Sequence, residues 1–167
     1  MNADRILNPN GGWCWYQDER VIVDRSTGAI LFASVATPGG ADGEARNGNI
    51  EVTSYQPETG AVSTVALARI LTHGKGDDHN VAGLWQRPDG RYLAMYTGHN
   101  HGLGFNGNDT APLSFYRIST RPNDATEWEP ERTFAWPTED LVGKGHIAVT
   151  YSNLLYLAAE GTGQGRL

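Results

Sequence analysis

The sequence is short of cysteine, basic clusters and long apolar runs, and each shortage excludes a class of protein. The single cysteine, Cys14, cannot close a disulfide within the chain. With 13 Lys and Arg against 19 Asp and Glu, and no basic cluster, the chain lacks the charge pattern of a nucleic-acid-binding protein. No run approaches the roughly 20 apolar residues of a membrane-spanning helix, and the first residues lack the apolar core of a signal peptide. We therefore expect neither a nucleic acid nor a membrane as partner.

Helix signals are also scarce, which predicts an all-β protein. Glycine makes up 21 of the 167 residues, and the apolar segments are short, rich in β-branched and aromatic residues, and bounded by turn residues. One pattern of strand, tight turn and strand recurs at intervals of about sixty residues. Its turns fall at residues 24–28, 87–90 and 160–165.

Each repeat has room for four strands, which is typical of a β-propeller blade. The predicted strands are 21–23, 29–35, 49–56 and 61–67 in the first unit, 81–86, 91–96, 113–118 and 131–134 in the second, and 153–158 in the third. We therefore predict a β-propeller of four-stranded antiparallel blades. This chain would hold about two and a half of them: blade 1 at about 11–70, blade 2 at about 77–136 and the start of blade 3 at about 146–167. Such a chain is a fragment; the alternative is a small, complete β-sandwich.

Two histidines are predicted to meet at one end of the second hairpin. Antiparallel pairing around a turn at Pro88 and Asp89 sets His79 opposite Gly98 and next to His99. Opposed residues have Cβ atoms about 5 Å apart and diagonal ones about 7 Å apart, so both imidazoles can serve one site. Both lie at loop edges, where functional residues are common.

The third hairpin adds two candidates to this edge. Aligning its turn with the second one places Tyr151 and Ser152 roughly where Asp78 and His79 lie, so Tyr151 should share the edge. Arg166 follows the third turn directly, so pairing does not fix its direction. It is a candidate because of its chemistry, since a guanidinium binds carboxylates through two hydrogen bonds.

The sequence resembles the BNR-4-type seven-bladed propellers, which include ulvan lyases and related polysaccharide lyases. Seven segments carry the resemblance: 11–16 (GGWCWY), 48–52 (GNIEV), 77–81 (DDHNV), 88–94 (PDGRYLA), 96–100 (YTGHN), 116–120 (YRIST) and 150–154 (TYSNL). Together they are fairly specific, although no one of them is specific alone. They span nearly the whole chain.

The resemblance implies a lyase that cleaves an acidic, uronate-containing polysaccharide such as ulvan by β-elimination. His79 and His99 then match the two active-site histidines, Tyr151 matches the tyrosine that acts as base or acid, and Arg166 matches the arginine beside the substrate carboxylate. Asn80 and Asn100, which follow the histidines, are the expected substrate contacts.

Two assignments of the proton transfers stay open. If Tyr151 is both base and acid, its pKa must fall below its ordinary value of about 10, and one histidine polarises the substrate carboxylate. If His79 is the base, Tyr151 protonates the leaving oxygen.

Each candidate residue also has a purely structural interpretation. His79 could cap a strand end, and Tyr151 could pack at the rim. The His-x-His pair formed by His99 and His101 could bind a metal ion together with His79. Our expectation is that no metal is bound here, although later blades could hold a structural ion. We expect the tryptophans at 13, 15 and 85, and Cys14 between the first two, to lie in the core.

Two other functions compete with the lyase. A sialidase-like glycoside hydrolase should show Asp-box turns and paired carboxylates, and the sequence has no such box. A non-catalytic carbohydrate-binding propeller would use the same histidines only to hydrogen-bond sugars. We expect no cofactor in this segment, a monomer at full length, and a secreted or periplasmic parent protein whose compartment the sequence leaves open.

Overall fold

The chain folds into short antiparallel strands joined by tight turns. A computed structural model describes residues 4–16, 21–99, 101–103, 112–137 and 147–157. The strands are β1 (Val21–Val23), β2 (Ile30–Val35), β3 (Asn49–Gln56), β4 (Ala61–Arg69), β5 (Gly83–Gln86), β6 (Tyr92–Tyr96), β7 (His101–Leu103), β8 (Leu113–Ile118), β9 (Arg132–Ala135) and β10 (Ile147–Val149). A single-turn helix, α1 (Gly43–Arg46), and a 3-10 turn at Asp78–Asn80 interrupt them. Neither is long enough to cross a membrane, and no other described segment is a candidate helical span.

The strands form two four-stranded antiparallel sheets. The first has the order β1-β2-β3-β4 and the second the order β5-β6-β8-β9, so each sheet is built from a continuous stretch of chain apart from β7. The predicted all-β class is confirmed, and all eight strands predicted for the first two units are present within two residues of their expected bounds. The strand predicted at 81–86 begins later, at Gly83, because the 3-10 turn occupies the residues before it.

The strand predicted at 153–158 is wrong for the residues that can be described. Residues 151–156 form no strand, and Leu157 is only an isolated bridge. Tyr151 has a φ of 64°, which breaks the extended conformation at this point. Instead, β10 pairs with β7 in a two-stranded sheet that the repeat pattern did not predict.

Three glycines close tight turns between consecutive strands. Gly28, Gly60 and Gly90 have φ values of 73°, 73° and 81°, in the left-handed region that glycine enters without a steric penalty. The amide of Gly90 donates to the carbonyl of Arg87 at 2.9 Å, and this closes the second hairpin. The turn residues at these positions therefore fix where each pair of strands reverses.

One apolar core lies between the two sheets. Alternate residues of β2, β3, β5 and β6 point into it, and its fully buried members include Leu31, Val35, Ile50, Leu84 and Tyr96. The other face of β6 is covered as well, since Leu93 packs with Ile118 and Leu154. The second sheet is therefore apolar on both faces, whereas the other face of the first sheet carries buried polar residues, among them Ser34, Glu51 and Thr53.

A buried hydrogen bond links the sheets across this core. The Tyr92 hydroxyl donates to Oδ2 of Asp24 at 2.5 Å, and both residues are at most 1% exposed. Burial raises the pKa of Asp24, but hydrogen bonds from Ser26 and Tyr92 outweigh it and hold the pKa well below its usual value. Burial and the bond to Asp24 raise the pKa of Tyr92. The pair is therefore a carboxylate and a neutral phenol.

Tyr92→Phe should lower the free energy of unfolding by about 1–3 kcal/mol, because it leaves the buried Asp24 carboxylate without one of its donors. Urea denaturation followed by tryptophan fluorescence measures the change. Tyr116→Phe, which removes a hydroxyl from the half-buried face of β8, is the matched control and should change stability much less. Equal effects of the two variants would contradict the assigned role of the Tyr92–Asp24 bond.

Acid should weaken the contact that Asp24 makes. Its pKa is lower in the folded than in the unfolded chain, so the unfolded chain takes up the proton first. The stability that the Asp24 carboxylate contributes is therefore present at a pH above the ordinary aspartate pKa of about 4. It is lost as the pH falls below that pKa. Asp24→Asn should be less stable than wild type at neutral pH, and the difference should shrink as the pH falls toward about 3. If urea titrations show a constant difference in stability between wild type and Asp24→Asn across this pH range, the lowered pKa of Asp24 is contradicted.

Candidate functional site

A 3-10 turn between the two sheets presents the first histidine. Asp77 caps this turn: its Oδ1 accepts hydrogen bonds from the His79 backbone amide at 3.0 Å and from Nδ1 of His79 at 2.7 Å. The residues that follow, Val81 and Ala82, are buried in the core. The turn is therefore anchored on one side by the core and on the other by its own carboxylate.

Asn80 fastens the second histidine to this turn. Its Oδ1 accepts a hydrogen bond from the His99 backbone amide at 2.6 Å, and its amide group donates to Thr72 at 3.4 Å. The Asn80 side chain is fully buried. This burial argues against the substrate contact predicted for Asn80, because no exposed atom is left to make it. Its role in the structure is to join the two segments that carry the histidines.

The two imidazoles lie together, as hairpin pairing predicted. Their ring centroids are 4.0 Å apart and their planes differ by 12°, so the rings of His79 and His99 are stacked. The observed register pairs Gln86 with Tyr92, one residue away from the predicted register. If this register continued beyond the strands as far as residues 79 and 99, the two histidines would lie directly opposite each other rather than diagonally. Their proximity is confirmed, whereas their catalytic role stays a prediction.

Asp77 contacts both rings. Its Oδ2 lies 2.9 Å from Nδ1 of His99, while Oδ1 bonds His79. Burial raises the pKa of the Asp77 carboxyl, but hydrogen bonds from the His79 backbone and from the two imidazoles bring it below its usual value. Sequence reasoning gave this aspartate no role of its own. Its spacing of two residues before His79, which is typical of a side chain that caps its own turn, could have revealed it.

Tyr151 joins the histidines through the pairing of β7 with β10. His101 of β7 faces Val149 of β10, so the chain just before β7 and the chain just after β10 emerge at the same end. The Tyr151 ring centroid lies 5.4 Å from that of His79. Gly83 permits this path, because a Cβ atom there would collide with the backbone carbonyl of Ser152. The predicted position of Tyr151 at this edge is therefore confirmed.

Two residues near the N-terminus complete the site, and sequence reasoning missed both. Tyr16 lies 5.4 Å from Tyr151 between ring centroids, and Cys14, only 2% exposed, is hydrogen-bonded to the Tyr151 side chain. Backbone pairing of Gly12 with Val35 holds this segment against the end of β2. The expected burial of Cys14 is confirmed. No local signal marks its contact with Tyr151, because 137 residues separate them.

The surroundings of Tyr151 oppose its ionisation. Burial, the Cys14 side chain, Tyr16 and Asp78 all raise the pKa of its phenol. A base role would need the opposite shift. The φ of 64° at this residue is unusual for a side chain of this size, and such backbone strain is common at functional sites.

A cavity of about 230 Å³ opens beside this tyrosine. Tyr151 shares its wall with Thr97, Ser114 and Trp136, which lie at the ends of the second sheet's strands or just beyond them. Trp136 donates from its indole nitrogen to the Ser114 hydroxyl at 2.9 Å, which fixes one wall. The phenol therefore borders a space large enough for part of a ligand.

The same side chains include the atoms that a metal ion would use. One group comprises Asp77, His79 and His99, a second comprises Cys14, Asp78 and His79, and in each group the potential ligand atoms lie within 4.8 Å of one another. In the first group, however, the imidazole Nδ1 atoms are hydrogen-bonded to the carboxylate. An imidazole nitrogen that carries a proton cannot bind a metal ion.

Two predicted site residues, Arg166 and Asn100, lie outside the described residues. So does the turn predicted at 160–165. The described site therefore consists of His79, His99 and Tyr151, with Asp77, Cys14 and Tyr16 as the side chains that contact them.

The expected core position of two tryptophans is wrong. Trp13 is 51% exposed and Trp15 is 80% exposed, because the segment turns Cys14 inward and its neighbours outward. Trp85 is half-buried and packs against Tyr156, with ring centroids 4.9 Å apart. The exposed pair thus lies beside the site rather than inside a sheet interface.

Comparisons with known proteins find likeness in structure but not in sequence. No protein-family model and no curated protein matches the chain. A solved structure titled "Structure of a new family of Polysaccharide lyase PL25-Ulvanlyase" matches 74% of it with a TM-score of 0.53 and 18% sequence identity. The chain has a polysaccharide lyase-like fold.

The chain spans 28% of the length of that structure. A second structure, of the PL25 ulvan lyase bound to -[GlcA(1-4)Rha3S]-, matches the same share with a TM-score of 0.53 and 17% identity. Identities this low establish the fold alone. The resemblance to BNR-4-type propellers in particular stays a prediction.

Trp15→Ala should change the free energy of unfolding by less than about 0.5 kcal/mol, because the side chain is mostly exposed. Trp85→Ala, which removes a half-buried ring from the second sheet, is the control and should be clearly more destabilising. Thermal or urea unfolding compares the two. A large loss of stability in Trp15→Ala would mean that this ring is part of the core after all.

Proposed function

We propose that this chain is part of a polysaccharide lyase that cleaves a uronate-containing polysaccharide by β-elimination. The observation that carries the proposal is the meeting of His79, His99 and Tyr151 at one end of the second sheet. The polysaccharide lyase-like fold supports it. Stacked imidazoles beside a phenol can supply both a proton acceptor and a proton donor.

The reaction needs both of these groups. A base removes the C5 proton of the uronate, the electron pair forms a double bond between C4 and C5, and the C4–oxygen bond breaks. The departing glycosidic oxygen takes up a proton, so the products are an unsaturated uronate and a new hydroxyl end. No water is consumed, which distinguishes the reaction from glycoside hydrolysis.

The geometry favours one of the two assignments that the sequence left open. The groups around Tyr151 raise its pKa, so the phenol keeps its proton at neutral pH and is suited to protonate the leaving oxygen. His79, whose ring contacts Tyr151, is then the base. We assign Arg166 to the substrate carboxylate by resemblance alone.

We also propose that the two four-stranded sheets are successive blades of a β-propeller, at about 11–70 and 77–136. The start of a third blade would follow at about 146–167, and the remainder would lie in a longer protein. The consecutive order of the two sheets along the chain and the single core that they share support this proposal.

An acidic polysaccharide is the partner that this function requires. One of the matched structures carries such a saccharide, with a glucuronate next to a sulfated rhamnose. We propose a related substrate, a monomeric full-length enzyme that is secreted or periplasmic, and no cofactor bound by this segment.

The longer protein that contains this chain should produce unsaturated uronate from ulvan or another uronate polysaccharide. The new double bond conjugated to the carboxylate absorbs in the ultraviolet, so turnover is followed directly. His79→Gln and Tyr151→Phe should each lower kcat by about 100- to 10,000-fold, the usual contribution of a general base or acid.

His73→Gln is the matched control, because His73 is exposed and lies at a separate turn. It should leave turnover unchanged. Absence of an absorbance rise on every uronate polysaccharide would refute the lyase, and release of reducing ends without unsaturation would indicate a hydrolase instead. The isolated 167-residue chain should bind weakly and not turn over, because the other walls of the groove would be missing.

A further inference from the structure

One carboxylate serves both imidazoles of the site. Asp77 Oδ1 lies 2.7 Å from Nδ1 of His79, and Oδ2 lies 2.9 Å from Nδ1 of His99. The His79 backbone amide adds a third hydrogen bond, to Oδ1 at 3.0 Å. The Asp77 side chain is only 17% exposed, so water competes little for these contacts.

The chemistry of the partners fixes where the protons lie. An ionised carboxylate only accepts hydrogen bonds, so each Nδ1 in contact with it must carry a proton. A neutral imidazole that is protonated at Nδ1 has a lone pair at Nε2. The net lowering of the Asp77 pKa by these three hydrogen bonds agrees with an ionised carboxylate at neutral pH.

The stacking makes this arrangement possible for both rings at once. The planes differ by only 12° and the centroids are 4.0 Å apart, and each Nδ1 atom contacts a different oxygen of the same carboxylate. The Asn80 bond to the His99 backbone holds the second ring in place. Both imidazoles stay about a quarter exposed.

We infer that Asp77 is a positioning residue that locks His79 and His99 in the same tautomer, with Nδ1 protonated and Nε2 unprotonated. It thereby leaves each imidazole with an unprotonated, basic Nε2. The catalytic use of those nitrogens rests on the proposed function; the tautomers themselves do not. Asp77 touches no reacting atom and acts only through the histidines.

An isosteric substitution separates the two histidines. In Asp77→Asn the side chain keeps one accepting oxygen and gains an NH2 group that only donates. The oxygen should take the place of Oδ1, where the His79 backbone amide and Nδ1 of His79 both need an acceptor. The NH2 group then faces Nδ1 of His99, so this nitrogen must give up its proton. His99 should therefore switch to the Nε2-protonated tautomer while His79 keeps its own.

Long-range proton–nitrogen correlation NMR of the isotope-labelled chain, at a pH where the imidazoles are neutral, reads the tautomer of each histidine directly. Substituting the remaining histidines (His73, His101 and His146) with Gln reduces the spectrum to the two rings of interest. In wild type, both should show an unprotonated Nε2. In Asp77→Asn, one of the two should switch.

Asp78→Asn is the matched control. Asp78 is the adjacent residue and its Oδ1 lies 3.1 Å from Nδ1 of His79, but its side chain is 46% exposed and Asp77 remains in place. Both tautomers should be unchanged. Asp77→Glu, which keeps two accepting oxygens, should restore the wild-type tautomer of His99, the ring that Asp77→Asn alters.

Two results would overturn the inference. They are an Nε2-protonated imidazole at either position in wild type and no tautomer change in a folded Asp77→Asn. If Asp77→Asn does not fold, the tautomers of His79 and His99 in wild type still test the inference. The readout needs no turnover, so correct tautomers in a protein without lyase activity would refute the proposed function and leave the role of Asp77 intact.

Discussion

Burial of the segment that passes from the first sheet to the second constrains both the fold and the site. Val81, Ala82 and Leu84 are at most 3% exposed and belong to the core that both sheets share. Burying a side chain as large as that of valine or leucine contributes about 1.5–3 kcal/mol. This segment therefore cannot shift without loss of stability. The 3-10 turn directly before it is consequently fixed, and with it the position of His79.

Polar groups carry this constraint from the core to the edge of the sheet. Tyr92 and Asp24 join the two sheets through a buried hydrogen bond, and Asn80 joins the turn to the chain before β7. Both are contacts between segments distant in sequence. A buried polar group without a partner is costly, so these bonds select one arrangement of the segments among those that the apolar core would tolerate. The stacked histidines, each about a quarter exposed, lie at the edge of the sheet that these bonds hold in place.

Much of the fold could be predicted from local pattern. Alternating apolar residues and glycines that close turns predicted the eight strands of the two sheets, because strand periodicity and turn conformation depend on neighbouring residues. Hairpin geometry then predicted that His79 and His99 meet. The register was wrong by one residue, since the details of a tight turn decide it. The pairing of β7 with β10 and the exposure of Trp13 and Trp15 were not predicted, since both depend on distant segments.

The sequence by itself determined an all-β chain with two four-stranded units and two histidines at one hairpin end, because these features follow from periodicity, turn residues and antiparallel pairing. Only the tertiary structure decided which groups surround Tyr151, that Asn80 is buried, and that Asp77 serves both imidazoles. Those properties depend on contacts at distances of a few ångströms between segments up to 137 residues apart. A pKa or a tautomer is set by the groups that finally touch a side chain, and no local pattern encodes them.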